Sequence, residues 1–394
     1  MGRWPEGFMW GTGASSTQAE GAAPASDWLA FEREGRVPVS GDGNGFGARY
    51  AEDFALFASL GLTHHRLSIE WARVEPEPGV HDPAAVEHYR NMLQAAWDAG
   101  VTPWICLHHF TLPKWFSDVG GFNVESHRTN EWARHVDFMA ETFGDLAGGW
   151  KPVNETNYYP LVVSGMAGVQ VADRDFFTEQ AHLMTAEAAV RLKQTGKPVA
   201  SVYGLATGEA HDDADATVEA VRSHYATHWD SWIGLFRDGV LHIGGREPVE
   251  RPDLAGCYDI IGFSYYAAMG FKDGRMTRHP QGAAKSQSGY AIWPDGLGRV
   301  FDRLHLELPG TPVLVSELGI GTDDDDERAA YLEATIDIAH DAIGRGTDLR
   351  GIFHWTGVDN YEWTNSDKVR FGIIDRDRKI KGRSAQVLKN EAIG

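Results

Sequence analysis

Two glutamates carry the chemistry this sequence can do. Glu155 closes the run WKPVNE and Glu317 closes PVLVSE, each at the end of a short apolar stretch that reads as a β-strand. Amides and aromatics gather at similar places. Gln18 follows FMWG, Arg66 lies in HHRLSI, His108 and His109 end TPWICLHH, and Asn154 precedes Glu155. Ser264, Tyr265 and Tyr266 end DIIGFSYY, and Trp355, Asp359, Asn360, Glu362 and Trp363 follow GIFH. Paired carboxyls among indoles and amides suit glycoside hydrolysis, which needs an acid for the leaving oxygen and an anion for the anomeric carbon. Indoles stack on sugar faces and amides bind hydroxyls. A lone glutamate after a strand is ordinarily a solvated loop residue, so the case rests on the pair. Residue chemistry alone does not say which glutamate takes which role.

The elements that must hold these residues alternate between strand and helix. Eight apolar runs begin at Phe8, His64, Thr102, Trp150, Pro198, Asp259, Pro312 and Gly351. Between them lie helical stripes: Tyr50, Phe54, Phe57 and Leu60 ending at Gly61; Val86, Tyr89 and Leu93 after the Asp82-Pro83 start; Trp132, Val136, Met139 and Phe143. Two more follow, Val218, Val221, Tyr225, Trp232 and Phe236, then Leu332, Ile336, Ala339 and Ile343. Eightfold alternation fits an open doubly wound sheet or a closed (β/α)8 barrel. A dinucleotide-binding sheet should open on G-x-G-x-x-G, and Gly11 and Gly13 lack the third glycine. The expectation is therefore an α/β fold, one (β/α)8 TIM barrel spanning residues 1–394 as a single catalytic domain. Polar residues at its C-terminal strand ends form the active site.

Composition excludes several partners. A net charge of −20 opposes binding to nucleic acid or to an anionic membrane, and says nothing against a neutral small-molecule glycoside. Cys106 and Cys257 are the two cysteines, compatible with a reducing compartment, and MGRWPEGFMW lacks the pattern of a secretory signal. A cytoplasmic location is expected, with no cofactor. The pairs His64-His65 and His108-His109 are not expected to hold a metal, because strand alternation turns only one of each pair to the barrel axis. The run Asp323–Asp326 reads as the first turn of a helix. Trp10, Trp28, Trp71, Trp97, Trp104 and Trp229 read as scaffold.

From Phe8 to about Asp377 the chain resembles glycoside hydrolase family 1, the retaining β-glucosidases. FMWGTGASSTQAEG, HHRLSIEWARVEPEPG, LHHFTLPKWF, WKPVNET, PVLVSELG and FHWTGVDNYEW followed by VRFGIIDRD are similar to six family motifs in the family's order. The resemblance implies that Glu155 is the acid/base and Glu317 the nucleophile, with Arg66 and Tyr266 supporting the nucleophile. It implies that Gln18, His109, Asn154, Ser264, Tyr290, Trp355, Glu362, Trp363 and Phe371 contact the substrate, Trp355 as a floor. Glu362 would meet the sugar's O4 and O6, and its negative charge would repel a 6-phosphate. The activity implied is an exo-acting β-glucosidase working by double displacement. A transglycosidase on the same site, or a sugar-binding relative without catalysis, are the alternatives. Glucoside, galactoside and fucoside stay open.

The chain departs from the family pattern at several places. Phe110 stands for a Trp, Thr111 for an Asp, Ser264 for an Asn, and Tyr290 for the platform Trp. Pro152, Thr156 and Leu318 replace Thr, Pro and Asn. The short chain, Phe110 and Tyr290 imply a more open entrance that tolerates bulky or apolar leaving groups.

Overall fold

The computed structural model describes residues 3–169 and 171–394. Its centre is a sheet of eight parallel strands: β1 (Met9–Gly13), β2 (His64–Ser68), β3 (Thr102–His108), β4 (Gly149–Val153), β5 (Tyr203–Gly204), β6 (Ile261–Tyr265), β7 (Val313–Leu318) and β8 (Leu349–Trp355). Their spatial order is 4-3-2-1-8-7-6-5, and β4 and β5 meet through a parallel bridge between Trp150 and Val199. The sheet thus closes on itself as the expected TIM barrel.

The join between β4 and β5 is the thinnest part of the ring. Pro152 has no N–H to donate to the ladder, and the β5 ladder spans two residues where the sequence suggests seven. Side chains make up the difference. On the β6 side the Ser201 hydroxyl donates to Gly262 O and accepts from Gly262 N, both at 3.0 Å. The Asn157 amide donates to Gly204 O at 2.8 Å and accepts from Gly204 N at 2.9 Å, as a neighbouring strand would.

Helices surround the ring where the apolar stripes place them, with Phe46–Ser59, Pro83–Asp98, Ala133–Phe143 and Asp325–Gly344 carrying the predicted faces inward. Asp82 caps its helix by accepting from Ala84 N at 2.8 Å, and Asp324 caps another by accepting from Asp326 N at 2.9 Å. The acidic run is therefore a helix start. The stripe after β5 is broken by a π-helical segment at Ala226–Asp230, which buries Trp229 and Trp232 and leaves Val218 exposed. Trp97 also differs from expectation: it lies on the outer face of its helix, 40% exposed, its indole N–H donating to Leu146 O.

Inside the barrel, Trp104, Ala200, Leu314 and Phe353 fill the lower layer. Lys151 lies above them, its ammonium nitrogen 4.3 Å from the Phe353 ring centroid. His65 turns outward, stacks on Phe57 at 5.0 Å and meets Thr12 Oγ1 at 2.8 Å, while Arg66 faces in. This is the alternation the sequence predicts. No group of three or more His, Cys, Asp or Glu among the described residues is placed to hold a metal ion. No helix among the described residues is long and apolar enough to cross a membrane.

Candidate active site

A strand alternates its side chains, so adjacent Asn154 and Glu155 can share one mouth only where the pleat ends. It ends at Glu155. Asn154 N–H makes the last strand-like bond, to His108 O at 2.9 Å, and Glu155 takes φ +46°, a left-handed conformation that costs an ordinary residue energy. Tyr158 N then donates to Glu155 O at 2.8 Å and closes the turn.

Glu317 reaches the mouth by a different device. Leu314 points into the barrel and Val315 packs outside it, so a regular strand would turn Glu317 outward. β7 carries one extra residue instead. Val315 pairs with Phe263 and Glu317 with the next residue, Ser264, leaving Ser316 as the bulge. Bulges of this kind re-aim a side chain beside a site.

Glu317 is buried between two donors. Arg66 Nη2 lies 2.6 Å from Glu317 Oε1, and Tyr266 Oη donates to Glu317 Oε2 at 2.6 Å. Arg66 also donates to Asn154 Oδ1, so one guanidinium spans β2, β4 and β7. Burial, with the Glu317 charge adding to it, holds the Tyr266 phenol well above its ordinary range and keeps it a donor.

These groups line a cavity of about 380 Å³ at the C-terminal strand ends. Trp355 forms part of its wall. Gly13 opposite has no Cβ, and one built there would sit 3.1 Å from the Trp355 indole. Gln18 Nε2 donates to Tyr361 O at 3.0 Å and to Glu362 Oε2 at 3.2 Å, and Trp355 Nε1 reaches Glu362 Oε1 at 3.3 Å. His109 lies near-parallel to Trp355 and Trp363, with centroids 5.8 and 6.0 Å away, and its Nε2 is 3.4 Å from Asn154 Nδ2. Tyr266 connects Tyr290, at 5.8 Å, with Phe371, at 6.0 Å. The structure thus brings eleven of the thirteen sequence-selected residues to one cavity wall. The other two, Arg66 and Ser264, lie immediately behind it, Arg66 against Glu317 and Ser264 beside Glu155.

The two glutamates sit in unlike surroundings. Burial and then the nearby Glu317 charge push the Glu155 carboxyl up to about 8, against weaker opposing pulls from Ser264 and Arg66. Burial likewise pushes Glu362 up to about 8, despite its bonds from Trp355 and Gln18. The raised pKa weakens, near neutral pH, the repulsion that a fully charged Glu362 would exert on a 6-phosphate. Burial, with Arg66 and His108 adding, holds His109 well below its ordinary range, so its imidazole is neutral. The arrangement supplies two carboxyls with raised pKa, Glu155 and Glu362, a third carboxyl, Glu317, paired with Arg66, and a set of fixed donors and acceptors.

Sequence reasoning missed part of this wall. Val162, Arg278, Ser288, Thr364 and Asn365 also line the cavity. Arg278 arrives on an excursion after β6 that includes a hairpin, Met269–Lys272 paired with Arg275–Met276. The Asp273-Gly274 turn has positive φ at both residues, and the Asp-Gly pair was its visible signal.

The family model described as Glycosyl hydrolase family 1 matches residues 1–213 and 247–390. The chain belongs to glycosyl hydrolase family 1. Thermostable β-glucosidase B of Thermobispora bispora is 28% identical, covering 97% of this chain and 89% of that protein. A β-galactosidase of Saccharolobus solfataricus is 26% identical over 97% of this chain and 92% of that one. Among solved structures, a β-glycosidase from Pyrococcus horikoshii superposes with a TM-score of 0.88 at 26% identity, covering 99% and 94% of the two chains. This family 1 chain is a glycoside hydrolase on a TIM barrel. The unmatched stretch 214–246 contains the helices Asp215–Tyr225 and Ser231–Asp238, which flank the π-helical segment.

Proposed function

We propose that this family 1 enzyme is a retaining, exo-acting β-glucosidase with Glu317 as nucleophile and Glu155 as acid/base. The observation that carries the reading is the contrast between the two carboxyls. Glu317 is paired with Arg66 and hydrogen-bonded by Tyr266, whereas burial and the Glu317 charge keep a proton on Glu155.

Glu317 attacks the anomeric carbon as the glycosidic bond breaks, and Glu155 gives its proton to the departing oxygen. Glycosylation removes the negative charge on Glu317, which is the second cause of the raised Glu155 pKa. Glu155 is then a carboxylate that takes a proton from water as that water displaces Glu317 from the sugar. Two inversions give retention. Asn154, His109, Gln18, Glu362 and Trp363 would hold the hydroxyls, with Trp355 as the floor.

The test is a panel of nitrophenyl β-glucoside, β-galactoside and β-fucoside, with the first-formed product anomer followed by NMR. β-Glucose appearing first, with the glucoside preferred, is the expected result. α-Glucose appearing first would overturn the mechanism.

A further inference from the structure

Gln18 and His109 reach the cavity from the ends of β1 and β3, and β2 lies between those two strands. The β2 and β3 backbones are still bonded where Ile69 N–H meets Cys106 O at 3.2 Å. One residue further on, a single side chain from β2 reaches both neighbours.

That residue is Glu70, which is buried and accepts from hydroxyls on either side. Ser16 Oγ donates to Glu70 Oε2 at 2.5 Å, and Thr17 Oγ1 lies 3.4 Å from the same oxygen. Ser16 and Thr17 open the short helix Ser16–Glu20 that carries Gln18. From the other side, Thr111 Oγ1 sits 3.1 and 3.0 Å from the two Glu70 oxygens. Thr111 follows His109 and Phe110, and Phe110 takes φ +73°, a left-handed backbone that its surroundings must hold.

A carboxyl in this place is costly. Among the described residues no arginine, lysine or histidine lies within ion-pairing distance of Glu70, and Arg73 pairs instead with Glu20 at 3.7 Å. Burial raises the Glu70 pKa, against weaker pulls from Ser16, Arg73 and Thr111. An apolar side chain would avoid that cost. What a carboxylate offers in return is geometry, because its two oxygens have about four acceptor sites and can take three hydroxyls at once. Glu70 is not part of the cavity wall, so whatever it does for the reaction it does through its neighbours.

We propose that Glu70 is a positioning residue for the glycosidase reaction: it sets the spacing between Gln18 and His109 and so decides how strictly the pocket reads the sugar's hydroxyls. The inference rests on the proposed roles of Gln18 and His109 in holding the sugar. The hydroxyls of Thr17 and Thr111 are themselves 3.4 Å apart. A carboxylate carried by residue 111 would therefore reach Thr17 directly and close the same link from β3. Thr111 stands where the family pattern has an Asp, so in this chain the acid lies across the gap, on β2.

The experiment measures kcat/KM for nitrophenyl β-glucoside and its 3-, 4- and 6-deoxy counterparts. The proteins are the wild type, Glu70→Ala, Thr111→Val, and a double variant joining Glu70→Ala to Thr111→Asp. The wild type should lose about 100-fold or more on at least one deoxyglucoside. Each single variant should lower kcat/KM for the full glucoside by about 10- to 100-fold. Each should also shrink the largest deoxy penalty by about tenfold, because misplaced partners no longer bind that hydroxyl. Thr111→Val keeps the side-chain shape and decides the matter if Glu70→Ala does not fold. The double variant should bring both values back to within about threefold of the wild type. A lowered melting temperature with an unchanged deoxy penalty in the folded single variants overturns the inference, as does a double variant no better than Glu70→Ala. In either case wild-type turnover of the glucoside leaves the glucosidase reading standing. No wild-type turnover sinks both.

Discussion

Arg66 and Glu317 meet 2.6 Å apart at the base of the cavity, both buried, and the same guanidinium holds the Asn154 amide. Removing Arg66 would leave a buried carboxylate without its counter-ion, so it is a poor probe of function. Tyr266 is the better one, because it touches the same carboxylate through a single bond of 2.6 Å.

Tyr266→Phe should therefore lower kcat more than it raises KM. A hydrogen bond to a charged group contributes roughly 1.5–3 kcal/mol, which corresponds to a loss of about 10- to 150-fold. The thermal midpoint should fall by only a few degrees. Steady-state kinetics on an aryl glucoside together with a melting curve check this. An unchanged kcat would mean that Tyr266 does not support the reacting carboxylate.

The pH dependence of kcat/KM should show a basic limb near pH 8, where Glu155 loses its proton. Glu155→Gln should remove the Glu155 share of that limb, leaving what Glu362 contributes, and reduce turnover of poor leaving groups by roughly 10²- to 10⁴-fold. Glu317→Gln removes the charge that helps raise Glu155, so Glu155 should titrate at lower pH in that variant. Carbon-13 NMR of labelled glutamate can follow both. Identical titration of Glu155 with and without the Glu317 charge would refute the coupling.

Much of this site was legible because the information is local. Strand ends, caps and the order of polar residues are all written within a few positions of one another, and the barrel follows from counting alternations. What could not be read depends on contacts across the ring. The bulge at Ser316 adds one residue to β7 without any compositional mark, yet it decides which way Glu317 points. Glu155 looks like any turn residue, and its left-handed backbone is set by the chain leaving β4. The charge state of Glu362 depends on how deeply Gln18, Trp355 and Tyr361 bury it, which no spacing reveals. Gly204 and Tyr158 lie far apart in sequence and meet only because β4 and β5 close the ring.

Lys151 is the least expected resident of the barrel. Its amine has no hydrogen-bond partner among the described residues, and burial holds its pKa well below the ordinary range. The folded state therefore disfavours a proton that the unfolded chain binds below pH 10.5. The resulting penalty is present at neutral pH and shrinks as pH rises towards 10.5. Lys151→Met keeps the volume and removes the polar end, so it should stabilise the protein by about 1–3 kcal/mol at pH 7. The gain should be smaller at pH 10. Denaturant midpoints at pH 7 and pH 10 test this. A destabilised variant at pH 7 would show that the Phe353 and Trp104 ring faces hold the amine favourably.

Glu362 offers a sharper test of the sugar pocket. Burial raises its pKa to about 8, so at pH 6 the carboxyl is protonated and can both donate and accept hydrogen bonds. A glutamine does the same with the same shape. Glu362→Gln should therefore cost less than about tenfold in kcat/KM for an aryl glucoside at pH 6. Glu362→Ala, which removes the partner of the sugar hydroxyls and one of the two acceptors of the Gln18 amide, should cost about 100-fold or more. Above pH 8 the wild-type carboxyl ionises and the glutamine does not, so the two proteins should diverge there. The same titration governs phosphorylated sugars. Ser366 and Lys368, a few residues beyond Trp363, are not part of the cavity wall. A 6-phosphoglucoside should be the poorer substrate at pH 6, and poorer still at pH 9, where a charged Glu362 repels it. Glu362→Gln should remove the second effect and leave the first. Equal or faster turnover of the 6-phosphoglucoside at pH 6 would defeat this account of the pocket.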